Sequence, residues 1–188
     1  MKKLCAIFVI AACASIAGAA DGVIVNLDVS GAESWDAAYD LSNDILVVDA
    51  AAAVGLPSGT AVTMNGIGWD TVTIQTQGAS WLNEARIYFD DNIAPDGYGL
   101  WLSPGAGYGY PGTMTFGSGG IIDLTGAGIS DIVLPDGMLR LEFNESYDDA
   151  DDVLDALWLE TSTLQLDIVP EPASLMLLGL AVLALRRR

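Results

Sequence analysis

Apolar side chains return at every second position in four stretches of this chain, and that spacing admits few folds. Val23, Val25, Leu27 and Val29 alternate with Ile24, Asn26 and Asp28, and Val72 and Ile74 alternate with Thr71, Thr73 and Gln75. Leu139, Leu141 and Phe143 alternate with Met138, Arg140 and Glu142, and Leu164, Leu166 and Ile168 with Gln165 and Asp167. Successive side chains of an extended strand leave opposite faces, so each stretch predicts a strand with one face buried and one face out. Shorter candidates lie at 45–49, 61–64, 85–89, 100–102, 113–116 and 121–124. Turn signals stand between them at Pro57-Ser58-Gly59, Asn65-Gly66, Pro95-Asp96-Gly97, Gly117-Ser118-Gly119-Gly120 and Pro135-Asp136-Gly137. Only 34–41 and 150–157 have the composition for helical turns, and no internal repeat has a fixed period. The expectation is an all-β chain, an antiparallel β-sandwich of jelly-roll type.

The two ends read differently from this body. Met1, Lys2 and Lys3 give a basic start, residues 4–16 are apolar, and Ala17-Gly18-Ala19-Ala20 supplies small residues for cleavage, so residues 1–20 read as a secretory signal for signal peptidase. A rival reading takes Ile10-Ala11-Ala12-Cys13 as a lipoprotein box, against which the apolar run continues past Cys13 through Ala14, Ser15, Ile16 and Ala17. Cys5 and Cys13 both fall in this segment, so the mature chain is expected to carry no thiol, disulfide or cysteine metal site. The exported body then runs over 21–168, long enough for one core without covalent staples.

After the body come Val169-Pro170-Glu171-Pro172, an uncharged apolar run over 173–185, and Arg186, Arg187 and Arg188. The two prolines are expected to end the last strand. Thirteen helical residues would span roughly 20 Å, short of a hydrocarbon core of about 30 Å, with basic residues on the cytoplasmic side. An ordinary membrane anchor would usually be longer. This tail resembles the PEP-CTERM sorting signal of exported proteins in Gram-negative bacteria, built from a Pro-Glu-Pro motif, a short hydrophobic helix and a basic end. The resemblance implies a sorting signal over 169–188 read at Pro170, Glu171, Pro172 and Arg186 to Arg188 by an exosortase. It further implies a protein anchored in the inner membrane by its C-terminal helix before processing, then delivered to the cell surface or extracellular matrix.

The body is acidic. Twenty-four of the twenty-five carboxylates precede Pro170, against Arg86 and Arg140 as the body's only cations. Phosphate binding needs clustered Lys or Arg, so nucleic acid is excluded as a partner. The densest run sets Glu145, Asp148, Asp149, Asp151, Asp152 and Asp155 within eleven residues. It lacks the sixth-position glycine and twelfth-position glutamate of an EF-hand for any start, and reads either as a solvated loop or as oxygen ligands for calcium. Asp90, Asp91 and Asp96 form a thinner cluster.

A glycine-rich stretch over 97–112 carries Tyr98, Trp101, Tyr108 and Tyr110. Such rings either cap the end of a sandwich or offer flat faces to the sugars of an extracellular polysaccharide. The half of the chain from Trp69 onward places Trp81 before a strand ending in Phe89-Asp90-Asp91. Further on come the run 137–143, the acidic loop, Trp158 and a final strand at 163–168. In that order it resembles the jelly-roll domains appended to secreted proteases, the proprotein-convertase P-domain and the bacterial pre-peptidase C-terminal domain, which implies a non-catalytic sandwich.

Histidine is absent from the chain, and lysine and cysteine occur only in the leader. Ser-His, Cys-His and Schiff-base chemistry therefore have no residues to work with, and no pair among so many carboxylates singles itself out for glycoside hydrolysis. The reading is a non-enzyme: an exported structural or adhesive β-sandwich, with a carbohydrate-binding module and a small secreted hydrolase as the other classes.

Overall fold

The computed structural model describes residues 22–93, 99–147 and 153–171. The signal segment, the apolar run 173–185 and its arginines lie outside them, as do Asp96, Tyr98, Asp148, Asp149, Asp151, Asp152 and Pro172. Twelve strands and one short helix are present among the described residues: β1 (Val23–Asp28), β2 (Glu33–Ser34), β3 (Ile45–Asp49), α1 (Ala50–Ala53), β4 (Val62–Thr76), β5 (Ala85–Asp91), β6 (Leu100–Leu102), β7 (Thr113–Phe116), β8 (Ile122–Asp123), β9 (Ile132–Leu134), β10 (Met138–Glu145), β11 (Ala156–Trp158) and β12 (Thr163–Pro170). They form two antiparallel sheets packed face to face. The first runs β1-β12-β4-β11-β2, with β7, β8 and β9 along the other side of β4, and the second runs β3-β10-β5-β6.

The alternating apolar positions meet between the sheets. Leu164, Leu166 and Ile168 of β12 and Leu139, Leu141 and Phe143 of β10 are all buried, as are Val72 and Ile74 of β4. Trp158 of the first sheet is fully buried and meets Phe143 of the second edge to face, ring centroids 5.0 Å apart. Aromatic contacts of this kind add about 0.5–1.5 kcal/mol beyond the area they bury.

Three local expectations are corrected. Asn65-Gly66 is no turn: β4 runs through it for fifteen residues and joins two segments that the sequence presents as separate strands. Asp167 pairs with Gly66 and Ile168 with Met64, so Asn65 is an extra residue in a β-bulge. A Cβ on Gly66 would stand 2.8 Å from Ile121 Cγ2, so glycine lets the β8 segment lie close across β4. Second, neither 34–41 nor the described part of 150–157 is helical. Ser34 lies in β2, and Asn43 Oδ1 accepts the Trp35 and Asp36 N–H groups at 3.1 and 3.0 Å, drawing the following segment into a looped cap. The one helix instead follows β3, where Asp49 accepts the Ala52 N–H at 2.8 Å as its N-cap. Third, β12 does not end at Ile168 but runs on to Pro170, where the proline ends it as expected. Pro170 is the last paired residue, where a missing N–H costs the ladder nothing.

Candidate functional site

The side chains that face away from the core on the second sheet include charged, amide and aromatic groups. Because Leu139, Leu141 and Phe143 point in, β10 presents Arg140, Glu142 and Asn144 on the other side. Ala85, Ile87 and Phe89 likewise point in, leaving Arg86, Tyr88 and Asp90 on the outer face of β5, and Trp101 stands out between buried Leu100 and Leu102. Antiparallel register aligns these rows: Arg140 opposite Asp90, Glu142 opposite Tyr88, Asn144 opposite Arg86, and Tyr88 opposite Trp101. Both cations of the body therefore lie on one face.

The segment 35–43 folds over part of this face and is fastened by a buried carboxylate. Glu142 is fully buried. Its Oε1 accepts the Tyr39 N–H and Asn43 Nδ2, the latter at 3.3 Å, and its Oε2 accepts Arg140 Nη2 at 2.7 Å. Asn43 Nδ2 also donates to the Ala37 carbonyl at 2.8 Å. Tyr39 is thereby held at φ 72°, a left-handed conformation that a non-glycine residue keeps only when its surroundings impose it.

Held in this way, the Tyr39 ring meets Tyr88 edge-on at 5.8 Å, and Tyr88 packs against Trp101 at 4.4 Å with the rings tilted by 30°. Tyr88 has no exposed surface, whereas Tyr39 is 53% and Trp101 40% exposed. The buried phenol is thus flanked by two solvent-facing rings. Burial, then the hydrogen bond that it donates to Asp90, pushes the Tyr88 phenol well above its ordinary pKa. Gly99 permits β6 to sit here, since a Cβ at that position would lie 1.9 Å from the Phe89 carbonyl oxygen. Arg140 is neutralised by Glu142, while Arg86 makes no ion pair among the described residues.

The aromatic residues singled out in the sequence separate into two groups. Trp101 belongs to the face just described. Tyr108 instead meets Tyr110 at 5.9 Å and the buried Phe116 at 5.3 Å, in the loop that precedes β7. The Trp81 ring lies against Gly109 of that loop, and Leu82 N–H donates to the Tyr110 carbonyl at 3.1 Å. Tyr39 and Tyr88 carried no sequence signal of their own. The placement of Arg86 and Arg140 on alternating strands of an acidic body was the available clue.

Of the six acidic-loop carboxylates, Glu145 and Asp155 are described. Both are buried at the stems of the loop, Glu145 accepting the Ser34 hydroxyl and Asp155 the Ser80 hydroxyl, each at 2.6 Å. Asp155 N–H further donates to the Ser34 carbonyl at 3.0 Å, so both stems close on β2. Among the described residues no group of three or more such side chains is arranged to hold a metal ion.

At the C-terminal end of β12, Val169 pairs with Thr63 and Pro170 with Val62, and the Glu171 carboxylate accepts the Thr63 hydroxyl. Among the described residues no helix is long and apolar enough to cross a membrane. Residues 169–188 match the family model described as the PEP-CTERM protein-sorting motif. That motif implies an exported protein, anchored in the membrane through its C-terminus until an exosortase processes it. No curated protein and no solved structure matches the chain, so the likeness to P-domains draws no support.

Proposed function

We propose that this protein is a non-catalytic adhesive sandwich, sorted to the cell surface or matrix, where it holds extracellular polysaccharide on the outer face of its second sheet. The observation that carries this reading is the pair of exposed rings, Tyr39 and Trp101, set on buried Tyr88 beside Arg86. Sugar rings present an apolar C–H face to aromatic side chains and hydroxyl or carboxylate oxygens to a guanidinium, and this face offers both complements. Glu142 fixes Tyr39 before any ligand arrives, which lowers the ordering cost of binding. The absence of His, Lys and Cys from 22–171 supports a binding role over catalysis. The jelly-roll expectation and the signal peptide over 1–20 belong to the same reading.

The test is a glycan array probed with the parent chain and with Trp101→Ala. Loss of a central aromatic anchor should weaken binding by about thirtyfold, equivalent to about 2 kcal/mol. Hydrolysis products from any bound glycan would replace the adhesive reading with the hydrolase.

A further inference from the structure

We propose that the folded body shelters its own sorting motif, so that release of the last rungs of β12 must precede processing. The matched motif starts at residue 169, and its first two residues are still in the ladder with β4. On the other side β1 begins at the Val23–Ile168 pair, so among the described residues these rungs pair with β4 only. One residue further on, Glu171 is bonded to Thr63, and both residues are half-buried. The acidic residue of the Pro-Glu-Pro element therefore rests against the sandwich in the folded state. An enzyme that reads this carboxylate has to take it from Thr63, and one that grips the extended chain around Pro170 has to displace β4. Pro170 gives the ladder no N–H at its end, so opening starts there and needs only a few rungs. When the competent form is a minor fraction, the apparent rate scales with that fraction. Fraying of β12 thus sets the pace of sorting.

The inference rests on the exosortase reading of the tail and is tested separately from it. Full-length chains are followed by pulse-chase in an exosortase-bearing host as parent, Thr63→Val, Thr115→Val, Glu171→Ala, and a chain with Gly-Ser-Gly inserted between Val169 and Pro170. Thr115, whose hydroxyl meets that of Thr73 at 2.8 Å, controls for loss of a surface hydroxyl away from the tail. Thr63→Val should be processed about three- to tenfold faster. The insertion should be at least as fast, and Thr115→Val should match the parent. Parental or slower rates for both Thr63→Val and the insertion, with Glu171→Ala blocked, would overturn the sheltering. A parental rate for Glu171→Ala would instead remove the sorting reading and this inference with it.

Discussion

Replacing Glu142 by alanine should unfold this protein more readily than any exposed charge substitution. The side chain is fully buried and receives three donors, from Tyr39, Asn43 and Arg140. Its loss leaves the Tyr39 N–H without this acceptor. It also takes from the Arg140 guanidinium, whose side chain is only 12% exposed, its one ion pair among the described residues. Arg140 Nη1 is already buried with no hydrogen-bond partner among the described residues. Breaking a buried pair from one side costs about 3–5 kcal/mol. For a body of this size that corresponds to a fall in Tm on the order of 10 °C. The assay is thermal unfolding of the full-length chain in detergent, followed by circular dichroism, for Glu142→Ala and for the cycle of Arg140→Met, Glu142→Leu and their double variant. Apolar replacement of both partners leaves no buried charge behind, so the double variant should melt above Glu142→Ala. A cost below about 1 kcal/mol for Glu142→Ala, the range of an exposed pair, would refute the reasoning, as would strict additivity of Arg140→Met and Glu142→Leu.

Asp167 supplies a pH-dependent prediction. Burial, then the nearby Asp123 carboxylate, raises its pKa, and its Oδ1 has no hydrogen-bond partner among the described residues. A carboxyl raised in the folded state favours folding when protonated, and that contribution is lost as pH rises through the folded-state pKa. Asp167→Asn should therefore raise Tm by about 2–4 °C at pH 7 and progressively less toward pH 3, and an equal gain at both pH values would contradict the assignment. Gly66→Ala should destabilise by about 1–3 kcal/mol, because the new methyl meets Ile121 and the Asp167 Cβ at 2.8 and 3.1 Å, and denaturant midpoints measure this directly.

Period-two alternation made the sandwich legible, since it identifies which residues turn inward without reference to partners. β3 and β7 fall at the ends read from the sequence, and Leu164, Leu166 and Ile168 are buried as their spacing requires. The bulge at Asn65 was illegible for a physical reason. Asn-Gly serves a tight hairpin and a bulge equally well, and only the register with β12 decides between them. The short strands β2, β9 and β11 have too few residues to show a period; β9 and β11 pair along the long β4, and β2 pairs in turn with β11. The candidate face was half legible: Trp101 stood out as an aromatic on a glycine-rich stretch. Tyr39 acquires its position from Glu142, 103 residues away, and nothing local to 34–41 announces that contact. The Pro-Glu-Pro tail was the easiest feature to read because its order is its signal, yet its bond to Thr63 spans 108 residues and is visible only in the fold.

Titration of the full-length chain with soluble oligosaccharides drawn from the host's own matrix tests the central claim most directly, with parent, Trp101→Ala and Tyr108→Ala compared under the same conditions. The face on the second sheet predicts binding by the parent, a loss of about thirtyfold for Trp101→Ala, and parental affinity for Tyr108→Ala, whose ring belongs to the separate group with Tyr110 and Phe116. Full affinity in Trp101→Ala would contradict the account, most decisively if Tyr108→Ala had lost it.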